Sequence, residues 1–348
     1  MEITDSDYET LPWVEKYRPS RLSEVVHHPN IIYSLRKLLQ KGKLPHMLFY
    51  GASGTGKTST ILAVAKKLYN DNMNFMVLEL NASDDRGINI VREEIKEFAE
   101  SINMFKSGVK LIILDEADSM TYDAQFALRR VIEKYSYNTR FCLICNYINK
   151  IIPAIRSRCM QFRFSPISDL AVKEYVGKIC EKENVKITKD GYDSITNLTN
   201  GDLRKAINLL QSVNMAFSKV NEDNSYYTMG VPSYAQVKEI VLFLISQKNF
   251  KQKFEYLNNL IKKDGYSLID IINYVHKILV TDEEILDQVN NIELAFILKH
   301  MSTLEHKLNI STFEEIYIGN FISIFVLLKD SNFINDDFND ISQSINQP

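Results

Sequence analysis

The chain has 348 residues, 45% of them hydrophobic and 24% charged, the balance of a folded globular protein long enough for two or three domains. Its 41 Lys and Arg against 44 Asp and Glu leave a net charge of −3, so the surface as a whole does not attract a polyanion and any nucleic-acid contact must be local. No apolar run reaches the length of a membrane span, the start Met1-Glu2-Ile3-Thr4-Asp5 is acidic where a signal or transit peptide is basic, and four cysteines make no disulfide framework, so an intracellular location without membrane contact is expected.

Between residues 45 and 164 short apolar runs at 46–50, 75–80, 109–114, 140–145 and 160–164 alternate with helical patterns. Continuous apolar runs suit strands buried on both faces, and the intervening helices are the crossovers that parallel strands need, so a five-stranded parallel sheet in an α/β domain is predicted. Directly after the first run, Gly51-Ala52-Ser53-Gly54-Thr55-Gly56-Lys57-Thr58 fits the phosphate-loop pattern of a nucleoside triphosphate site. Its glycines let backbone N–H groups turn inward around phosphates, Lys57 supplies positive charge to the β- and γ-phosphates, and the Thr58 hydroxyl offers an oxygen to Mg²⁺. A helix at 59–69, with Ile61, Leu62, Val64, Ala65 and Leu68 on its apolar side, would aim its N-terminal dipole at the phosphates.

The strand at 109–114 delivers Asp115 and Glu116 to its C-terminal edge, where α/β sheets bind ligands. Asp115 is expected to hold Mg²⁺, usually through water, and Glu116 to orient and polarise the attacking water. The tetrad Asp115-Glu116-Ala117-Asp118 also spells the motif of a helicase class. Such enzymes need a second sheet domain with its own arginines, whereas everything after Phe164 is helical, so the tetrad is taken as a coincidence at a metal-binding strand end. Cys142 and Cys145 lie in one strand at a spacing that points them to opposite faces, as buried thiols rather than a zinc or redox pair. Asn146 follows; its amide either reaches the γ-phosphate or lytic water, or simply ends the strand. Arg158 and Arg204 are either solvated surface charges or the cations that phosphoryl transfer needs around the γ-phosphate.

After Pro166 the strand pattern stops. Helices are predicted at 169–184, 190–198 and 202–217, the last with Leu203, Ala206, Ile207, Leu209 and Leu210 on helical spacing, and the polar stretch 221–225 closes this group. Further helices are predicted at 234–246, 250–262, 268–279, 292–308 and 313–328. Several are more apolar than one face requires, as at 241–245, and are expected to be buried. The Asn-, Asp- and Ser-rich stretch 331–348 has the composition of a disordered tail.

Seven segments together carry a resemblance: Trp13-Val14-Glu15-Lys16-Tyr17-Arg18-Pro19, the phosphate loop, Leu80-Asn81-Ala82-Ser83-Asp84-Asp85-Arg86-Gly87-Ile88, the Asp115 strand, Ala127-Leu128-Arg129-Arg130, Ser157-Arg158-Cys159 and Gly201-Asp202-Leu203-Arg204. In order and spacing they resemble the small subunits of replication factor C, the eukaryotic sliding-clamp loader of the AAA+ family. The resemblance runs from about Trp13 to Phe217, and the helical remainder fits the family's collar more loosely. Ile144-Cys145-Asn146-Tyr147 and the segment 151–159 are most similar to one branch, the subunits numbered 5 in human and 3 in yeast.

The resemblance implies an AAA+ nucleotide-binding domain at 1–165, a helical lid at 166–230, an oligomerising all-α collar at 231–330 and the tail at 331–348. It implies a nuclear ATPase in a heteropentamer with the other replication factor C subunits, opening the ring-shaped clamp, proliferating cell nuclear antigen, and gripping primer-template DNA in replication and repair. The cofactors are ATP and Mg²⁺. Lys57, Thr58, Asp115, Glu116, Asn146 and Arg204 would serve the chain's own ATP, with Gly51 to Ser59 around the phosphates and Tyr17, Arg18, Val25 and Val26 around adenine, while Arg158 reaches an adjacent subunit's site. Arg86 and Arg92 would track DNA phosphates, in competition with pairing to Asp84, Asp85, Glu93 or Glu94. Phe98, Ile102, Met104 and Phe105 either contact the clamp or pack in the core, and Gln125 with Arg129 either couples subunits or forms an ordinary exposed helix pair. Two other functions share these motifs: an assembly subunit whose ATP is structural, common to alternative clamp loaders, and a stand-alone AAA+ remodelling motor.

Overall fold

Five parallel strands, β1 (Met47–Gly51), β2 (Val77–Asn81), β3 (Lys110–Asp115), β4 (Thr139–Cys145) and β5 (Met160–Phe164), lie in the order β2-β3-β4-β1-β5 in the computed structural model. The structure describes residues 11–83, 87–101, 108–311 and 313–328, without the side chains of residue 71 and residues 87–92. The tail at 331–348 and the residues Ile102, Met104 and Phe105 therefore lie outside the described residues.

Alternation along the strands divides the core into two layers. Met47, Phe49, Leu111, Ile113, Cys142 and Ile144 point to one side, against Ile61 and Val64 of the helix Lys57–Tyr69 and Leu35 of the helix Pro29–Gln40. Leu48, Ile112, Leu114, Phe141, Leu143 and Cys145 point to the other, against Ile95 of the helix Gly87–Glu100 and Leu128 and Ile132 of the helix Tyr122–Tyr135. Each fully buried side chain of this kind contributes roughly 1.5–3 kcal/mol over its exposed state. Helices on both faces are what right-handed crossovers between parallel strands produce. Phe98 is half-buried in the second layer. Cys142 and Cys145 fall in opposite layers, as their spacing requires, and both are free thiols.

The central strands β3 and β4 are buried almost throughout, while β2, at the sheet edge, is only partly so. Its apolar run begins in a one-turn helix, Met73–Met76, where Phe75 is 75% exposed, so the strand starts two residues later than the run alone suggests. A short apolar run does not tell strand from helix.

The helices Asp169–Glu183, Lys189–Thr199 and Leu203–Ala216 follow β5. Thr188 caps the second by accepting from the Gly191 N–H, and Asp202 caps the third by accepting from the Lys205 N–H. The chain divides into two compact units at Asn221/Glu222, so the helix Glu222–Met229 groups with the second unit rather than with these three.

Among its described residues the second unit has helices and no strand. Capping boxes open Tyr234–Ile245 (Ser233 with Gln236), Phe250–Asp264 (Asn249 with Gln252) and Asn291–Leu308 (Asn290 with Glu293), each satisfying N-terminal amides that the helix itself leaves unpaired. Leu268–Thr281 and Glu315–Leu327 complete the main core, in which Val241, Leu244, Ile271, Val275, Ile297, Phe321 and Phe325 are buried. Ile316, at the start of the most apolar helix, is 71% exposed.

Candidate functional site: a nucleotide cleft at the sheet's C-terminal edge

The order β3-β4-β1 sets three strand ends side by side: Asp115, Cys145 followed by Asn146, and Gly51. Asn81, at the end of β2, is in register with Asp115. Gly51 has φ +142°, and a Cβ there would lie 1.9 Å from the Phe164 carbonyl oxygen of β5. Gly54 has φ +64°, and its Cβ would lie 1.7 Å from an Asp202 carboxylate oxygen. Only glycine permits both approaches. The Leu203 N–H donates to the Gly54 carbonyl at 3.2 Å, so the phosphate loop touches the start of the helix carrying Arg204. Gly56, also left-handed, precedes the helix Lys57–Tyr69, whose N-terminus carries no side-chain cap and so presents amides to an anion.

Lys57 Nζ donates to the Gly51 and Ala52 carbonyls at 2.9 and 2.8 Å and to Asn146 Oδ1 at 3.0 Å. Burial holds its ammonium below the ordinary lysine pKa; the negative charges of Asp115 and Asp118 act against that shift, and the positive charge of Arg204 adds to it. Thr58 Oγ1 donates to Asp115 Oδ2 at 2.8 Å, and Asp115 Oδ1 accepts from the Glu116 N–H at 2.8 Å. Glu116 sits in left-handed conformation, φ +54°, a sparsely populated region for a non-glycine residue.

A cleft of about 250 Å³ opens over these groups. Tyr17, Arg18, Val25, Val26, Ser53, Gly54, Thr55, Gly56, Lys57, Thr58, Ser59, Asp115, Glu116, Asn146 and Arg204 all line it. Gly51 and Ala52 lie behind the lining and offer their carbonyls to Lys57. Arg158 is outside it: one guanidinium nitrogen lies 2.5 Å from Glu133 Oε1 and another donates to the Ala154 carbonyl at 2.8 Å. Arg86 lies outside the described residues, and so does the side chain of Arg92, whose backbone belongs to the helix Gly87–Glu100.

The cleft also takes in Val14, Asn81 and Leu203, which the segments resembling the family contain without a role at the nucleotide, and Ile167, Tyr175 and Ile207, which lie outside them. Asn81 carried a usable signal as the end of a parallel strand; Tyr175, on an otherwise ordinary helix, carried none. The N-terminal segment is tied to the helices after β5. The Tyr175 hydroxyl donates to the Tyr17 carbonyl at 2.5 Å, the Trp13 N–H donates to Gln211 Oε1 at 3.1 Å, and Lys16 pairs with Glu183 at 2.6 Å.

Gln125 and Arg129 do not pair with each other. Gln125 is buried and bonds backbone on three sides, donating to the Met120 and Lys150 carbonyls and accepting from the Ile152 N–H at 2.9 Å. Arg129 is partly exposed and donates to Glu133 at 3.1 Å. Among the described residues no group of His, Cys, Asp and Glu forms a separate metal cluster, and no helix is long and apolar enough to cross a membrane.

The sequence matches three family models in succession: the ATPase family associated with various cellular activities over residues 47–167, the AAA+ ATPase lid domain over 176–215 and the replication factor C C-terminal domain over 232–323. Similar proteins include the probable replication factor C subunit 5 of Dictyostelium discoideum, 45% identical over 96% of both chains. Human replication factor C subunit 5 is 44% identical over 92% of this chain and 93% of its own, and subunit 3 of Schizosaccharomyces pombe is 45% identical over 90% of each. Among solved structures, the Thermotoga maritima RuvB Holliday junction branch migration motor superposes with a TM-score of 0.50 over 75% of this chain and 91% of its own; at 17% identity that likeness concerns the fold alone.

Proposed function

This chain belongs to the replication factor C subunit family, and from that membership we propose that its cleft binds and hydrolyses ATP with Mg²⁺ while the assembled subunits load a sliding clamp onto DNA. It is an ATPase of the AAA class and a subunit of a multi-subunit clamp loader. The observation that carries the residue assignment is the convergence of Lys57, Thr58, Asp115 and Asn146 within hydrogen-bond distance at one sheet edge, with Glu116 beside them.

In this reading the phosphate-loop amides and Lys57 hold the β- and γ-phosphates, and Tyr17, Arg18, Val25 and Val26 enclose the base. Thr58 and Asp115 present a hydroxyl and a carboxylate 2.8 Å apart, hard oxygen donors that suit Mg²⁺. When bound, the metal neutralises phosphate charge. Glu116 orients water for attack on the γ-phosphorus; the bond to the β-bridging oxygen breaks and ADP departs with it. Asn146 and Arg204, which both line the cleft, are assigned to the γ-phosphate. Arg158, turned away from the chain's own cleft, serves a neighbouring subunit's ATP.

The partners are the other replication factor C subunits in a heteropentamer, proliferating cell nuclear antigen as the clamp, and primer-template DNA, with a nuclear location. Arg86 and Arg92 are assigned to the DNA phosphates. The domain limits are proposed at 1–165, 166–230 and 231–330; the placement of the three family matches supports them except over 222–230, which no match covers and which groups with the second compact unit. Glu116→Gln in the assembled complex tests the reading: ATP binding persists, while hydrolysis at this site and clamp loading fall. Loading at the full rate would instead make the ATP structural.

A further inference from the structure

Two backbone amides at the end of β4 converge on one carboxylate. The N–H groups of Asn146 and Tyr147 donate to Asp118 Oδ2 at 3.2 and 3.1 Å. Asn146 is the residue whose side chain meets Lys57 Nζ at 3.0 Å inside the cleft. Asp118 reaches these amides because the chain turns sharply after β3. Glu116 adopts its left-handed conformation, a single 3₁₀ turn follows at Ala117–Ser119, and the Ser119 N–H closes back on the Glu116 carbonyl at 2.9 Å. That turn swings the last member of the tetrad Asp115-Glu116-Ala117-Asp118 from the end of β3 across to the end of its neighbour β4.

The tetrad therefore has a meaning outside the helicase class. Its first carboxylate faces Thr58, its second lines the cleft, and its fourth member holds the adjacent strand end. We propose that Asp118 is the positioning residue for Asn146: its carboxylate pins the 146–147 backbone so that the Asn146 amide is fixed beside Lys57 at the reacting end of the nucleotide. A charged acceptor shared by two successive amides is a directional restraint on the backbone between them. Asp118 also adds negative charge within reach of Lys57, which acts against the fall in its pKa. The inference rests on the reading of Asn146 given above.

The test is a double-mutant cycle in the assembled loader, with steady-state ATPase, fluorescent ATP binding and thermal melting measured on each variant. Asp118→Ala lowers kcat about tenfold with KM for ATP little changed, as expected when support for a group acting in the transition state is lost. Asp118→Asn keeps an acceptor oxygen and recovers most of that loss. Asp118→Ala combined with Asn146→Ala is no slower than Asn146→Ala alone, because the two act as one unit. Losses that multiply in the double variant, or a Asp118→Ala loader with full kcat beside a slow Asn146→Ala loader, overturn this proposal alone. A fully active Asn146→Ala loader overturns the reading of Asn146 and this proposal with it. ATP binding and an unchanged melting point in Asp118→Ala separate the effect from a failure to fold.

Discussion

Lys16 and Glu183 meet at 2.6 Å, and the hydroxyl of the neighbouring Tyr17 donates to the same carboxylate oxygen. The pair joins the N-terminal segment, whose Tyr17 and Arg18 line the cleft, to the last residue of the first helix after β5. Both side chains are about one-fifth exposed, so solvent screens the pair and a net contribution near 1 kcal/mol is reasonable. Glu183→Gln is expected to weaken binding of a fluorescent ATP analogue roughly fivefold, the equivalent of that energy. Unaltered affinity in a titration would detach this contact from the nucleotide site.

Gly51 and Gly42 offer a matched pair of substitutions. Both are at positive φ, but a Cβ at Gly51 strikes the Phe164 backbone whereas Gly42 has nothing within 4 Å. Gly42→Ala bears only backbone strain, on the order of 1 kcal/mol. Gly51→Ala must also push β1 and β5 apart at the cleft, and its melting temperature should fall further, by roughly 2–4 °C for each added kcal/mol in a unit of this size. Equal melting points for the two variants in calorimetry would contradict the close approach.

His28 is buried against Phe164, with ring centroids 4.9 Å apart, and its Nε2 has no hydrogen-bond partner. Burial, and next the charge of His27, push its pKa down from 6.5 to about 4. Between those values the unfolded chain binds a proton that the folded chain refuses. Stability from this residue is therefore whole above pH 6.5, falls as pH drops towards about 4, and changes no further below that. His28→Asn, which tolerates φ +60°, removes the titration. Urea midpoints at pH 7 and pH 5 should fall further for the parent chain than for the variant.

All four cysteines are buried. Burial pushes the Cys145 and Cys159 thiols up to about 12 and the Cys180 thiol up to about 11, so thiolate is scarce at neutral pH. A chromogenic disulfide reagent should titrate none of them in the native chain within minutes and all four in concentrated urea. Rapid native labelling would show that the sheet layers open readily.

The phosphate loop, the Asp115–Glu116 strand end and the strand-helix alternation were legible because each has a local pattern: glycines where φ is positive, apolar runs where strands are buried on both faces. β2 was legible only approximately, since an edge strand is half-exposed and its apolar run spills into a helical turn. The helix Pro29–Gln40 carried readable signals in its N-terminal Pro29 and in Ile31, Leu35, Leu38 and Leu39, yet it stands outside the strand-helix alternation and is easily passed over. Asp118 and Tyr175 bond to residues distant in sequence, just after β4 and in the N-terminal segment, and no periodicity announces such contacts. The tetrad's letters name a helicase class that the helical remainder already excluded, while the strand end that its fourth residue reaches is visible only in the fold.

ATP turnover by the purified chain alone, then with the other loader subunits, clamp and primed DNA, in the presence of native Arg158 or Arg158→Ala, tests the shared-interface ATPase most directly. The expected result is a low solitary rate that rises on assembly and falls by about three orders of magnitude or more at the neighbouring site with Arg158→Ala. Vigorous turnover by the solitary chain, indifferent to partners, DNA and Arg158, would contradict it and mark an independent motor.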